Sequence, residues 1–334
     1  MPAAPAALGS LRNDLQREGE GHMAKAYVFT RHGGPEVEAL VDLEPPEPGP
    51  GELLIAVRAA GVNPVDFRLR GGYRRPGQAP AELPEVLGSE AAGVVARTGP
   101  GVEGFAVGDA VFGSTLTGGY AEYTLLPVAV AAHKPAGLSF AEAATLPVAA
   151  ATAYDGVRQL ALPAGATLLV TGAGGGVGGN AVRLARHWGL RVIGTASEGK
   201  KDVVESLGAV HVAPGPGLVE RVRALAPDGV DGVFDLVGGE HLRTVADLVA
   251  DRTKLITAGG KQIVAELGGS AVARARDAAT LEAVAELAAA DVLRPHITAT
   301  YPLDRAGEAL RTVETGHALG KVVIEVGVVS PVPG

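Results

Sequence analysis

The sequence predicts an α/β chain of two units, a compact β barrel or sandwich and a doubly wound parallel sheet, on the strength of three observations. From Met23 to about Val148, short strand-like runs are punctuated by proline and glycine. From about Ala149 to Arg294, strand-like and helix-like segments alternate. Inside that second stretch, Ala166 to Gly179 joins an uncharged aliphatic run to a cluster of glycines and then to a helical pattern.

In chain order, residues 1–22 read as a flexible N-terminal extension, and Met23 opens the first strand-like run. Lys25 to Phe29, Glu52 to Ala59, Gly93 to Arg97, Ala110 to Gly113 and Ala121 to Leu126 are strand candidates. Pro-Gly clusters such as Glu44 to Gly51 separate them, as the turns of a small β unit require. Loops of this unit are candidates for shaping a substrate pocket.

The parallel sheet follows. After the unit that starts at Ala166 come a helix over Lys201 to Leu207, a strand over Ala209 to Ala213 and a helix over Leu218 to Ala226. Next are strand Gly232 to Val237, helix Glu240 to Val249, strand Thr253 to Ala258 and helix Thr280 to Ala289. Pro295 to Tyr301, an amphipathic helix over Leu303 to Val313 and strand Lys321 to Val326 have no place left in that sheet, so the chain is expected to return to the first unit. The division is therefore 23–148 with 295–334, and 149–294. Loops at the carboxyl edge of such sheets bind their ligand, which points to Asp235-Leu236-Val237-Gly238-Gly239 and Thr257-Ala258-Gly259-Gly260.

Thr167 to Thr171 is the kind of run that a strand buried on both faces needs, and Val177, Ala181, Leu184, Ala185 and Trp188 recur at helical spacing behind the glycines. A strand, a glycine turn and a helix in that order form an anion site, because free N–H groups at the helix start face a pyrophosphate. Two glycine registers fit: Gly174, Gly176 and Gly179, or Gly172, Gly175 and Gly178, with Ala173 and Val177 between them. Arg191 to Gly194 reads as the next strand, completing a βαβ unit of about thirty residues. It runs into Thr195-Ala196-Ser197-Glu198-Gly199-Lys200-Lys201. The small Thr-Ala-Ser run and two lysines, Lys200 and Lys201, suit the 2′-phosphate of NADPH, whereas an NADH site would place an acid directly after the strand and Glu198 comes late, beside the lysines.

Composition narrows the alternatives. Hydrophobic residues make up 47% and charged residues 20% of 334, enough for sizeable cores. A net charge of −8 without a basic stripe argues against nucleic acid. No apolar run reaches the length of a membrane span, and no signal layout opens the chain, which points to a cytoplasmic protein. The chain has no cysteine, and its eight histidines are scattered without metal-ligand spacing, so no metal site is expected.

Further motifs carry a resemblance. Ala60-Gly61-Val62-Asn63-Pro64-Val65-Asp66, Arg70-Gly71-Gly72-Tyr73, Leu87-Gly88-Ser89-Glu90-Ala91-Ala92-Gly93, Val107-Gly108-Asp109, Gly118-Gly119-Tyr120-Ala121-Glu122-Tyr123 and Gly320-Lys321-Val322-Val323 stand in the chain. Together they resemble the medium-chain dehydrogenase/reductase superfamily, in its zinc-free, zeta-crystallin-like quinone oxidoreductase branch. The resemblance implies a GroES-like barrel, a Rossmann domain, an active site in the cleft between them and a homodimer. It also implies absence of zinc, since Ser89 stands where zinc-dependent members carry a histidine. The chain departs from its relatives at Pro214-Gly215, where many have a tyrosine, and at Asp155, where some have an aromatic residue.

By the same resemblance, Asn63 and Asp66 line the nicotinamide end of the cleft, Thr152 lies near the nicotinamide, Ser197 and Lys200 contact the 2′-phosphate, Val237, Gly238, Gly259 and Gly260 lie along the nicotinamide, and Lys321 is close to the cofactor. Tyr73 matches a tyrosine proposed as proton donor in related enoyl reductases, a role open to a phenol because it stays protonated at neutral pH. Plainer roles exist for each: Asn63-Pro64 as a turn, Asp66 as a helix cap, Tyr73 as packing. The implied activity is NADPH-dependent hydride transfer to a quinone or to a C=C conjugated with a carbonyl. Two alternatives stand beside it. One is a pathway-specific enoyl reductase acting on a polyketide-like or carrier-bound intermediate, with Arg68, Arg70, Arg74 and Arg75 as a docking patch; the other is a non-catalytic NADPH-binding partner protein.

Overall fold

The computed structural model describes residues 23–74, 82–316 and 318–327, so the N-terminal extension and Arg75 lie outside the described residues. The barrel part opens with β1 (Ala24–Phe29), β2 (Glu38–Leu43) and β3 (Glu52–Val62), followed by the short helix α1 (Pro64–Arg70). Its remaining strands before the sheet domain are β4 (Glu85–Val86), β5 (Glu90–Thr98), β6 (Ala110–Ser114), β7 (Tyr123–Pro127) and β8 (Ala131–His133). Local chemistry explains α1. Asn63 caps it, Pro64 fits its first turn, and Asp66 accepts the Asn63 N–H at 2.8 Å, a capping box that fixes where the helix leaves β3.

The chain crosses to the second domain through α2 (Phe140–Ala143), capped by Ser139 and Glu142, and a π-helical turn at Leu146–Ala150 that leads into α3 (Ala151–Leu160). Then come β9 (Thr167–Thr171), α4 (Gly176–His187), β10 (Arg191–Thr195), α5 (Lys201–Ser206), β11 (Val210–Val212) and α6 (Leu218–Leu225). The second half adds β12 (Gly232–Asp235), α7 (Gly239–Ala246), β13 (Leu255–Thr257), α8 (Lys261–Glu266), β14 (Ser270–Ala271) and α9 (Ala278–Ala289). These strands form a parallel sheet in the order β11-β10-β9-β12-β13-β14, with the reversal of order beside β9 that marks a doubly wound fold.

Every residue of β9 is buried, because helices cover both faces of the sheet. Leu168 and Val170 pack with α3, α4 and α9 on one side; Leu169 packs with α6 and α7 on the other. The alternation follows from the two-residue period of a strand.

After α9 the chain forms β15 (Ile297–Pro302), α10 (Ala306–Glu314) and β16 (Lys321–Glu325). Neither strand joins the parallel sheet. β16 pairs antiparallel with β3, and the sheet runs β15-β16-β3-β5-β6-β8, with β7 also paired to β3. β1, flanked by β2 and β4, forms a separate three-stranded sheet over the same barrel core. No helix among the described residues is long and apolar enough to cross a membrane.

Candidate active site

The glycine turn sits at the carboxyl end of β9 and caps the start of α4. Gly172 has φ +68°, and a Cβ on Gly178 would run into the Gly172 carbonyl, so both positions require glycine. Gly175 donates to Gly172 O at 3.0 Å and forms the N-cap of α4. The structure thus selects the register Gly172, Gly175, Gly178 from the two that spacing allowed. Gly176, Val177 and Gly178 occupy the first turn of the helix, whose N–H groups have no partner within it, and Ala173 N is taken by Thr195 O. The turn is a cradle with donors facing outward and no side chain in the way, which is what a pyrophosphate needs.

Two lysine stems border it. Lys200 lies along Gly174, where a Cβ would come within 2.7 Å of the lysine Cδ, and its ammonium donates to Ala318 O at 2.8 Å. Burial lowers the pKa of Lys200 from the usual lysine range. Ser197 and Lys201, the other expected phosphate contacts, are exposed beside it. The Lys321 stem lies 3.0 Å from the position of a Cβ on Gly176, although its backbone belongs to β16 of the barrel.

Lys321 leads to a buried polar cluster where the two domains meet. Its Nζ reaches Glu90 Oε1 at 2.9 Å, Asn63 Oδ1 at 2.8 Å and Val62 O at 3.2 Å. Glu90 also accepts Asn63 Nδ2 at 2.7 Å and, from the π-helical turn that leads to the second domain, the Val148 N–H at 2.7 Å. Asn63 Nδ2 donates as well to Gly61 O at 3.3 Å, so both its amide hydrogens and its oxygen are occupied. Asn63, Glu90 and Lys321 are all at most 5% exposed. Thr152 stands one turn beyond Val148 and donates its hydroxyl to Val148 O.

Asp66 is fully buried one turn from this cluster. Its carboxylate accepts Ser89 Oγ at 2.7 Å, Tyr120 Oη at 2.8 Å and the Asn63 N–H. Burial raises its pKa to about 6, against the pull of those three donors. The carboxylate and burial together push the Tyr120 phenol well above its ordinary range. Tyr73, three residues past α1, is 45% exposed, and only its backbone N–H, donated to Arg68 O, is engaged in a hydrogen bond among the described residues.

On the parallel sheet, Asp235 ends β12 and is fully buried. It accepts Thr171 Oγ1 at 2.7 Å from β9, Thr257 Oγ1 at 2.6 Å from β13, and the Gly238 N–H at 2.9 Å. Thr257 in turn accepts the Gly259 N–H at 2.9 Å. One carboxylate therefore ties three strand ends and orders the loops carrying Val237, Gly238, Gly259 and Gly260. Val237 is 54% exposed, with a methyl next to Gly172.

The glycine turn, Lys200, Lys321, Asn63 and the two carboxyl-edge loops are thus brought to one seam. Tyr73 has no contact to them among the described residues. Glu90 and Asp235, which organise the seam, were not singled out from the sequence. The available signal was a lone acid at the end of an apolar stretch of strand, Glu90 opening β5 and Asp235 closing β12, a placement tolerated in a buried strand only when donors surround it. Among the described residues no three His, Cys, Asp or Glu side chains are grouped to hold a metal ion.

Comparison with known proteins places this geometry in a family. Residues 49–136 match the alcohol dehydrogenase GroES-like domain, and residues 207–324 match the zinc-binding dehydrogenase family. The chain is 34% identical over 318 residues to 2-methylene-furan-3-one reductase of Solanum lycopersicum, covering 90% of this chain and 78% of that protein. It is 36% identical over 302 residues to the pikromycin polyketide synthase component PikAII of Streptomyces venezuelae, covering 84% of this chain and 8% of that protein. The solved quinone oxidoreductase from Coxiella burnetii superposes with a TM-score of 0.82 at 30% identity, covering 92% of this chain and all of that one. With a GroES-like barrel, a Rossmann-like sheet and a nicotinamide-type glycine cradle between them, the chain belongs to the medium-chain dehydrogenase/reductase superfamily, as an oxidoreductase of its zeta-crystallin-like quinone oxidoreductase branch.

Proposed function

We propose that the protein is an NADPH-dependent reductase of small electron-poor acceptors, a quinone or a C=C conjugated with a carbonyl, and that it works without zinc and as a homodimer. The observation that carries this reading is the glycine cradle with Lys200 laid along Gly174. Gly172 to Gly178 would hold the pyrophosphate, with Ser197, Lys200 and Lys201 around the 2′-phosphate. Val237, Gly238, Gly259, Gly260 and Thr152 would line the nicotinamide half. When bound, this cofactor supplies the hydride.

The remaining chemistry falls to the chain. Reduction of an enone builds negative charge on the carbonyl oxygen, which needs donors aimed at it. Asn63 has no amide hydrogen left for that purpose, so backbone N–H groups and water are the donors in this reading. Asn63 and Asp66 instead act as positioning residues: they fix the exit from β3 and the start of α1, which ends shortly before Tyr73. Tyr73 would deliver the proton to the α carbon of an enone, whereas a quinone can take its protons from solvent. The zinc-free reading rests on Ser89, whose hydroxyl is committed to Asp66, and on the absence of cysteine.

A carrier-bound substrate, in keeping with the likeness to a polyketide synthase, finds less support in the barrel. Arg70 is buried against Glu38 and Glu314, and Arg74 is shared between Glu85 and His32, so neither offers a free charge for docking. The deciding experiment measures NADPH oxidation with quinones, simple enones and enoyl thioesters, NADH being run in parallel. Turnover of quinones or enones with NADPH preferred is expected; turnover confined to enoyl thioesters would move the assignment to the carrier-bound reading. Tyr73→Phe should lower enone turnover by about tenfold or more while quinone turnover holds. Equal rates in the variant would leave Tyr73 as packing.

A further inference from the structure

The pocket beside the glycine turn extends beyond the turn itself. Its upper end is Gly174 to Gly176; its lower end follows the flank of α4, where Asn180 and Arg183 stand one and two turns further down. Seven residues of helix put Arg183 about 10 Å from Gly176. α5 supplies one wall through Val203 and Leu207, and Leu319 and His296 from the returning segment supply another.

Charge in this groove is one-sided. The lining contains Arg183, Arg294 and Lys321 and no carboxylate, in a chain with 37 acidic and 29 basic residues. Lys321 is neutralised by Glu90, and Arg294 is shared between Glu142 and Asp291. Arg183 is half-buried and takes part in none of the hydrogen bonds or ion pairs among the described residues. No nitrogen of its guanidinium is both buried and unpartnered, so its five donors are reached by solvent and stay open to an anion entering the groove. Val203, Leu207 and Leu319 offer that anion an apolar surface.

We propose that the lower groove is a second binding site, for a small amphipathic anion whose phosphate or carboxylate head pairs with Arg183 and whose apolar body lies on Val203, Leu207 and Leu319. Its upper end, Gly174 to Gly176, is shared with the cofactor cradle as read above, whereas Ser197, Lys200 and Lys201 do not line it. The proposal rests on that reading: the ligand would lie below the nicotinamide cofactor, along the flank of α4, without entering the turn.

The test is calorimetric titration of hexyl phosphate, and of inorganic phosphate alone, into wild-type protein with and without saturating NADPH, and into Arg183→Gln. Glutamine preserves the helix, so the variant should fold. Hexyl phosphate is expected to bind one per chain with NADPH present, more tightly than inorganic phosphate, and at least tenfold more weakly to Arg183→Gln, whose NADPH affinity stays within twofold. Three results would overturn the site: no binding, binding indifferent to Arg183→Gln, or hexyl phosphate displaced by NADPH together with weaker NADPH binding in the variant. Failure of the wild type to bind NADPH would break the cofactor reading instead and leave the titration of the free protein to judge the groove.

Discussion

The two sides of the seam solve opposite problems. On the barrel side, Asn63, Asp66, Glu90 and Lys321 are buried and satisfy one another, leaving almost nothing to offer a ligand. On the sheet side, Asp235 gathers the strand ends from below, while the glycine turn keeps its N–H groups turned outward. Polar residues in a cleft are therefore of two kinds. Those with every donor and acceptor matched set the position of the backbone, and those left open meet the ligand.

The largest effect that would break this distinction is expected at Glu90. Glu90→Ala strands the Lys321 ammonium in a buried setting and should cost about 3–5 kcal/mol of stability in urea unfolding. The double variant Glu90→Gln with Lys321→Met should recover much of that loss, because no charge is then left alone. Full stability of Glu90→Ala would mean that the cluster holds nothing in place.

Asp66 sharpens the comparison through pH. Its native pKa of about 6 stands above that of an unfolded aspartate. Below about pH 4 both states hold the proton; between about 4 and 6 only the native state does. Stability contributed by this group is therefore present in acid and lost as pH rises through about 6, by something on the order of 3 kcal/mol. Asp66→Asn should flatten that part of the unfolding free energy measured against pH. An unaltered slope would show that Asp66 is ionised in the folded protein throughout.

The smallest effect belongs to the open side. Lys200→Ala should weaken NADPH binding about tenfold, near 1.4 kcal/mol, and leave NADH binding within twofold. Equal losses for both cofactors would remove Lys200 from the 2′-phosphate and make its bond to Ala318 the reason for its place.

Much of the sheet domain was legible because its signals are local. Thr167 to Thr171 is the observed β9 to the residue, and the helix expected behind the glycines begins among them, at Gly176. The return of β16 to the barrel was also legible, since a strand with no room in one sheet must find another. Helix α3, the π-helical turn and β14 were not. Pro147 and the run of alanines around it give no clear period, and β14 is two residues long. At the candidate site, the glycine turn at the head of α4 and a lysine beside it could be read because both follow from a local pattern. Glu90 and Asp235 act through partners distant in the chain, and distance along the chain is what a local pattern does not encode. Arg70 shows the same limit from the other direction: a charge expected in solvent is buried against Glu38 and Glu314.

The position of β16 has a consequence for how the molecule is made. The parallel sheet draws on one continuous stretch, from β9 to β14, and needs nothing from either end of the chain. The barrel cannot close that way, because β3 waits for a partner strand that begins at Lys321, and Lys321 meets Asn63 across 258 residues. On a ribosome the second domain can be complete while the first still exposes an unpaired β3 edge, which is an invitation to the wrong neighbour. β16, which follows the whole sheet domain in the chain, both closes that edge and delivers the lysine that neutralises Glu90. The seam can therefore assemble only after the sheet domain has been made.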